Sequence, residues 1–265
     1  MDKIWYVILG ISITFFCTTL GSAFVFFLKK KELSPALAQI FTGFAAGVML
    51  SAAFFGLIKP VMDIEIGYMP NFLVAAFGVI LGALFFWGID KLVPHFHNQS
   101  NENEGLPSPI SKKGKMFLAV TIHNIPEGLS VGVAFAIALA ATEDAQHALL
   151  ISALSLAIGI GVQNIPEGAM VALPFKEETS SNGKAFVYGM LSGAVEPIAA
   201  GLGLLLAFAI DAAMPWAMAF AGGCMLYVIA EEMIPEFSKD SVHHYGVWSF
   251  IIGFAGMMCL DVALG

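Results

Sequence analysis

Residues 116–139 read MFLAVTIHNIPEGLSVGVAFAIAL, an apolar run interrupted at its centre by His123, Asn124 and Glu127. The run is as long as the roughly 20 residues that an α-helix needs to cross a bilayer. Residues 147–173 form a second such run, in which QNIPEG follows forty residues after the related HNIPEG. This spacing fits two consecutive antiparallel helices, so the two segments predict a helix pair with polar groups at similar depth in a membrane.

The composition of the whole chain also indicates a membrane protein. Of its 265 residues 58% are hydrophobic and 12% are charged, whereas a soluble domain carries about 25% charged residues. The twelve basic residues are all lysines, and they form no basic stripe of the kind that nucleic-acid-binding proteins use. The composition therefore argues against a soluble globular protein, a disordered chain and a nucleic-acid partner.

Eight apolar segments predict an all-α integral membrane protein with eight transmembrane helices in one domain, residues 1–265. The first segment ends in three lysines, a stop-transfer pattern rather than a cleaved signal peptide. The predicted helices α1 to α8 cover residues 4–28, 36–58, 72–92, 116–139, 147–173, 184–210, 215–234 and 246–263, respectively.

The lysines predict the orientation of these helices. If the N-terminus lies outside the cytosol, ten lysines fall in cytosolic loops and only Lys3 and Lys59 lie outside. Because cytosolic loops carry an excess of basic residues, we expect both termini outside the cytosol. The longest loop, 93–115, is polar and rich in glycine, proline, asparagine and serine, so it is predicted to be a flexible cytosolic segment.

Ionisable groups inside α4 and α5 predict a functional site, since each costs at least about 2.5–3.5 kcal/mol in a membrane span. His123 and Glu127 lie four residues apart and therefore on one helix face, and Gln163 and Glu167 repeat this spacing. Each motif proline frees a backbone carbonyl, which is tolerated at membrane depth where it lines a cavity. Imidazole, amide and carboxylate groups suit divalent metals such as Zn²⁺. The alternative is a polar cluster that only joins the helices.

Further acids lie in other helices. Glu196 precedes a proline within α6, and Glu231 and Glu232 lie in α7. Asp90 ends α3 and Asp261 lies near the end of α8; for these two, solvated acids at the interface are the alternative. Glu127, Glu167 and Glu196 sum to −3, so two dications leave a net +1. Because protons compete with metal for such groups, metal binding should weaken as the pH falls.

These residues resemble the ZIP (Zrt-, Irt-like protein) family of divalent metal transporters, and the paired HNIPEG and QNIPEG motifs resemble its bacterial GufA-like branch. The resemblance includes GFAAGVM at 43–49, the Glu196-Pro197 pair and the closing LDVALG at 260–265. It implies eight helices in 3+2+3 order, with α1–α3 and α6–α8 as an inverted repeat. It also implies a location in a bacterial inner (cell) membrane.

The resemblance further implies a binuclear site that holds two Zn²⁺ ions between α4 and α5. One ion would be ligated by Met49, His123, Glu127, Gln163 and Glu167, and the other by Asn124, Glu127, Asn164, Glu167 and Glu196. Some relatives have Asp at the position of Asn164. The second site of this chain therefore carries one negative charge fewer than theirs. The implied release or entrance path comprises Asp90, His95, His97, Glu231, Glu232 and Asp261.

The implied function is transport of divalent metal into the cytosol by alternating access. Zinc is the chief expected substrate, with cadmium, iron and manganese left open. A zinc-selective channel is one alternative. An intramembrane metalloenzyme is disfavoured because the chain has no HExxH motif, so no enzyme activity is expected. The oligomeric state stays open, with a homodimer among the alternatives.

Overall fold

The apolar segments fold as helices, because a backbone inside a bilayer has to satisfy its own hydrogen bonds. The computed structural model describes residues 3–27, 34–64, 66–93, 95–97, 102–104, 109–209, 214–238 and 243–264. In these ranges eight helices are long and apolar enough to cross a membrane, which confirms the predicted number and the all-α class. They are α1 Lys3–Phe27, α2 Pro35–Asp63, α3 Asn71–Leu92, α4 Lys112–Ala140, α5 Glu143–Thr179, α6 Asn182–Gly193 continued by Val195–Ala209, α7 Met214–Phe237 and α8 Tyr245–Leu264.

Helix α5 extends beyond its predicted range of 147–173 at both ends. Glu143 and Asp144 lie in its first turn, where carboxylates interact favourably with the positive end of the helix dipole. The helix stops where Ser180 adopts a left-handed conformation with φ of 50°. The prediction was too short because hydropathy marks the membrane-embedded part of a helix, whereas capping residues mark its ends.

A small β-ribbon lies in the predicted loop 93–115. Strand β1, His95–His97, pairs antiparallel with β2, Glu102–Glu104, with His95 opposite Glu104. Helix α4 then begins at Lys112, capped by the Ser111 hydroxyl, which accepts a hydrogen bond from the Gly114 N–H over 3.2 Å. The sequence predicted only a polar loop here, since three-residue strands leave little hydrophobic periodicity. The flexibility of this loop stays a prediction.

Two of the central helices widen into a π-helical turn. The turn covers Ala52–Ile58 in α2 and Ile229–Met233 in α7. A proline follows each turn, Pro60 in α2 and Pro235 in α7. A proline ring clashes with the carbonyl four residues earlier, and in both helices that carbonyl belongs to the π-turn. Such turns occur often at functional sites, and the α7 turn contains two of the acids singled out above.

Glycines bring four pairs of helices into close contact. A Cβ atom would overlap a carbonyl oxygen of the neighbouring helix at Gly168 (α5 on α1), Gly132 (α4 on α6), Gly47 (α2 on α8) and Gly82 (α3 on α7). Small residues let membrane helices approach at this distance. In each pair, contacts advance in the same direction along both helices, so the partners run parallel.

These pairs assemble into two groups of four helices. Helices α1, α4, α5 and α6 pack mainly on one another, and α2 and α7 pack mainly on α8 and α3. The two groups meet where α2 contacts α5 and where α7 contacts α4. These four helices are the most buried, whereas α1, α3, α6 and α8 expose more of their surface, as lipid-facing helices do. The boundary between the groups passes along both motif-bearing helices.

Candidate metal centre

The two hexapeptide motifs meet at the contact between α4 and α5. Both helices remain α-helical through Pro126 and Pro166. The Gln163 side chain donates from Nε2 to Glu127 Oε1 over 2.6 Å, and both side chains are fully buried. The matching depth predicted from the spacing of the motifs is therefore present.

Glu196 joins the two motifs from α6. It lies in the first turn after the break at Ala194, next to Pro197. Asn124 Nδ2 donates to Glu196 Oε1 over 3.2 Å, and Asn164 Nδ2 donates to Glu196 Oε2 over 2.9 Å. The structure thus brings together one carboxylate from α6 and the asparagine of each motif, all fully buried.

Four buried oxygen atoms in this cluster accept no hydrogen bond from any residue that the structure describes. They are Asn124 Oδ1, Glu127 Oε2, Gln163 Oε1 and Asn164 Oδ1. The three amides have directed their NH₂ groups toward carboxylates, which leaves their oxygens unpaired. Each unsatisfied buried acceptor costs about 1–3 kcal/mol. Oxygen atoms with free lone pairs are what a cation ligates, so the chemistry of these groups is compatible with a bound cation.

Met49 lies at the depth of this cluster on the facing helix α2. Helices α2 and α5 run antiparallel: the Thr42 hydroxyl contacts Met170 Sδ at 3.5 Å, and the Leu156 side chain lies against Gly56. Moving along α2 from Thr42 to Met49 therefore corresponds to moving along α5 from Met170 to Gln163. Met49 is only 2% exposed, so its thioether belongs to the interior and not to a lipid-facing surface.

Glu167 and His123 complete the predicted set, but His123 points elsewhere. Glu167 is buried and lies within electrostatic reach of Glu127 and of His123. The His123 Nε2 atom lies 2.5 Å from Glu232 Oε1 of α7. Within the described ranges no three His, Cys, Asp or Glu side chains are close enough together to hold an ion by themselves. Ligation here would therefore need the amide oxygens and a turn of His123.

Glu232 and Asp90 lie on the same side of the cluster. The Tyr227 hydroxyl donates to Asp90 Oδ2 over 3.2 Å, and the Phe86 ring lies 5.8 Å from both the His123 and the Tyr227 rings. This polar group leads from the motifs toward the α3–α4 connection. The side chains of His95 and His97 lie outside the described part of the chain.

The other two path residues do not join this group. Glu231 is exposed, and no described contact connects it with the motifs. Asp261 lies near Lys59 at the opposite end of the helices, within reach of its charge. It therefore lies on the side of the membrane away from Glu232.

The side opposite Glu232 is apolar. A cavity of about 330 Å³ lies there between α2, α4, α5 and α7. Its lining includes Pro60, Ile137, Leu156 and Met218. The lining of this cavity is thus mainly apolar, in contrast with the polar group around Glu232 and Asp90.

Thr18 is a further residue of this cluster that was not among the predicted site residues. Its hydroxyl donates to Glu196 Oε1 over 2.7 Å. A signal was present: Thr14, Thr18 and Ser22 recur every four residues, on one face of α1, and the structure buries all three. Tyr227 and Phe86 carried no such signal, because aromatic residues are common throughout apolar helices.

Comparison with known proteins identifies the family. The family model of the ZIP zinc transporters matches residues 4–116 and 115–261. The chain belongs to the ZIP family. This ZIP protein is 37% identical to zinc transporter GufA of Myxococcus xanthus, over 90% of this chain and 91% of the relative. It is 34% identical to zinc transporter ZIP11 of Xenopus tropicalis (97% of each chain) and 33% identical to zinc transporter ZIPB of Bordetella bronchiseptica (98% of this chain, 82% of the relative).

Membership of the ZIP family confirms the resemblance drawn from the motifs, including the likeness to GufA. ZIP proteins are transporters and not enzymes, so the expectation of no enzyme activity is confirmed as well. With eight helices that can span a bilayer, this ZIP protein is a multi-pass membrane protein.

Proposed function

We propose that this ZIP protein carries divalent metal, chiefly zinc, into the cytosol through a binuclear site between α4 and α5; cadmium, iron and manganese are further candidate substrates. The observation that carries the proposal is the set of four unpaired buried oxygens on the two motifs. Zinc as the chief substrate is supported by the family and by the names of the relatives.

The proposed ligands lie on four helices. The first ion takes Met49, His123, Glu127, Gln163 and Glu167, and the second takes Asn124, Glu127, Asn164, Glu167 and Glu196. Glu127 and Glu167 bridge the two ions. Two dications offset the three buried carboxylates, which supports two zinc ions per chain. One ion would leave a net charge of −1 and two ions a net +1, each far less costly to bury than −3, so the number of ions rests on the two ligand sets and not on charge alone.

The proposed mechanism is alternating access between two bundles. One bundle comprises α1, α4, α5 and α6, and the other comprises α2, α3, α7 and α8. An inverted repeat in 3+2+3 order would exchange α1–α3 with α6–α8 and α4 with α5. This exchange converts the close pair α1/α5 into α6/α4 and the pair α2/α8 into α7/α3, and all four pairs occur. The two π-turns, in α2 and α7, are exchanged as well.

The proposed direction follows from the lysines and from the polarity of the two ends. With the N-terminus outside the cytosol, the polar group around Glu232 and Asp90 faces inward and the apolar cavity faces outward. Zinc would then leave past His123, Glu232 and Asp90, whereas Asp261 would belong to the outer entrance. The protein would lie in the cell membrane with both termini outside the cytosol.

Zinc uptake into proteoliposomes tests this function. Purified protein is reconstituted, the orientation of each preparation is determined by labelling, and zinc accumulation is followed with a trapped indicator. We expect slow, saturable uptake into vesicles in which the cytosolic loops face the lumen. Absence of zinc flux in either orientation would overturn the proposal. Accumulation only in the opposite orientation would overturn the inward direction, and flux that does not saturate would favour a channel.

The neutral substitution Glu232→Gln should slow zinc release. In the proposed cycle Glu232 draws the His123 imidazole away from the departing ion. A hydrogen bond to a charged group contributes about 1.5–3 kcal/mol, so the maximal uptake rate should fall about tenfold while equilibrium zinc binding is retained. Glu231→Gln is the matched comparison, since that neighbouring carboxylate is exposed, and it should change the rate much less. Equal effects of both substitutions on the uptake rate would refute the role of Glu232.

A further inference from the structure

Thr18 lies against Glu196, although no residue of α1 belongs to the proposed ligand set. Its hydroxyl donates to Glu196 Oε1 over 2.7 Å, and both side chains are fully buried. The glycine at position 193 leaves room for this contact. A Cβ atom there would lie 2.7 Å from Thr18 Cβ and 3.0 Å from Glu196 Oε1. The contact between α1 and α6 thus depends on the hydroxyl of Thr18, the carboxylate of Glu196 and the missing side chain of Gly193.

Glu196 in turn helps to orient two amide groups. It accepts hydrogen bonds from Asn124 Nδ2 at 3.2 Å and from Asn164 Nδ2 at 2.9 Å. Asn124 Nδ2 also donates to the Ser192 backbone oxygen over 3.1 Å, so Asn164 depends more on Glu196 than Asn124 does. Because the nitrogen of each amide is the atom that contacts Glu196, the Oδ1 atom of each asparagine is not used in this contact. These are two of the four buried oxygens without a hydrogen-bond partner.

We infer that Thr18 is a positioning residue of the metal centre, which anchors Glu196 so that Asn124 and Asn164 present oxygen, and not nitrogen, to the ion. The inference rests on the proposed function. The orientation of each amide decides whether it attracts or repels the ion. The amide oxygen attracts a dication, whereas the NH₂ group repels it. Without the Thr18 hydroxyl, Glu196 Oε1 loses its shortest hydrogen bond, and the carboxylate is held only by the contacts with Thr14, Asn124 and Asn164 among the described residues.

Equilibrium zinc binding to the purified full chain tests the inference, with thermal melts of the metal-free protein beside it. Thr18→Val removes the hydroxyl at nearly constant volume and should weaken zinc binding about tenfold, the equivalent of one hydrogen bond to a charged group. Thr18→Ser keeps the hydroxyl, so this variant should bind zinc with wild-type affinity. Thr19→Val is the matched control, because the Thr19 hydroxyl donates to Phe15 O of its own helix over 2.9 Å and this variant should bind as wild type does.

A double-mutant cycle separates positioning from a general loss of structure. If Thr18 acts only through Glu196, Thr18→Val causes no further loss of affinity in a Glu196→Gln background. Wild-type affinity of Thr18→Val, failure of Thr18→Ser to restore binding, or additive losses in the double mutant would each overturn the inference while the proposed function stands. A wild-type chain that binds no zinc would overturn the proposed function and this inference with it.

Discussion

Glu127→Ala and Glu167→Ala will each reduce zinc uptake to the level of protein-free vesicles. Both carboxylates are buried in the contact between α4 and α5, and each is proposed to bridge two ions. Removing one partner of a buried ionic interaction costs about 3–5 kcal/mol, which corresponds to roughly two to four orders of magnitude in affinity. The initial rate of zinc accumulation in proteoliposomes measures the effect.

The control for this pair of substitutions is Glu143→Ala. Glu143 also lies on α5, but it is exposed in the first turn, far along the helix from the motif, so uptake should remain at the wild-type rate. Thermal melts establish that each variant is folded. Glu196→Ala adds information about the second ion, since residual flux would mean that one ion suffices for transport. Wild-type flux in both bridging variants would mean that the α4–α5 cluster is only a structural joint.

Gly82→Ala will destabilise the protein strongly, whereas Gly88→Ala on the same helix will not. A Cβ atom at Gly82 would overlap the Phe220 carbonyl oxygen and lie 2.9 Å from the Cys224 backbone nitrogen, whereas a Cβ at Gly88 would meet nothing within 4 Å. Forcing an extra methyl group into a packed contact costs about 1–3 kcal/mol, and here the obstacle is backbone that has to move as a whole.

The measurement is the melting temperature of each variant in detergent. Gly82→Ala should melt well below wild type, and Gly88→Ala should melt with wild type or slightly above, because alanine favours a helix by about 1 kcal/mol over glycine. Neither Gly82 nor its contacts on α7 belong to the proposed ligands, so zinc binding by folded Gly82→Ala should be retained. Equal melting temperatures for the two variants would contradict the close packing of α3 on α7.

The number of helices and the pairing of the motifs follow from the sequence for a simple reason. Both are local: an apolar run sets the length of a membrane helix, and Glu127 and Glu167 occupy the same place in two consecutive runs. The oxygen-rich character of the site is also local, since each motif carries its own amide and carboxylate groups.

The contacts between distant segments could not be predicted in this way. Glu232 engages His123 from a helix more than a hundred residues later in the chain, and only the packing of α7 on α4 brings them together. Thr18 reaches Glu196 because glycine at position 193 opens the interface. That His123 ligates zinc together with Glu127 and Glu167 stays a prediction, and in the structure its imidazole lies against Glu232.

The most direct test of the central claim is to locate zinc in the protein by anomalous X-ray diffraction at the zinc edge. Crystals of the full chain grown with zinc should show ions between α4 and α5, at the distance of about 2.0–2.2 Å from carboxylate oxygens that zinc ligation requires. Glu127 and Glu167 should both contact them, with His123 turned away from Glu232. Ordered zinc elsewhere in the protein, with the α4–α5 cluster empty, would contradict the account.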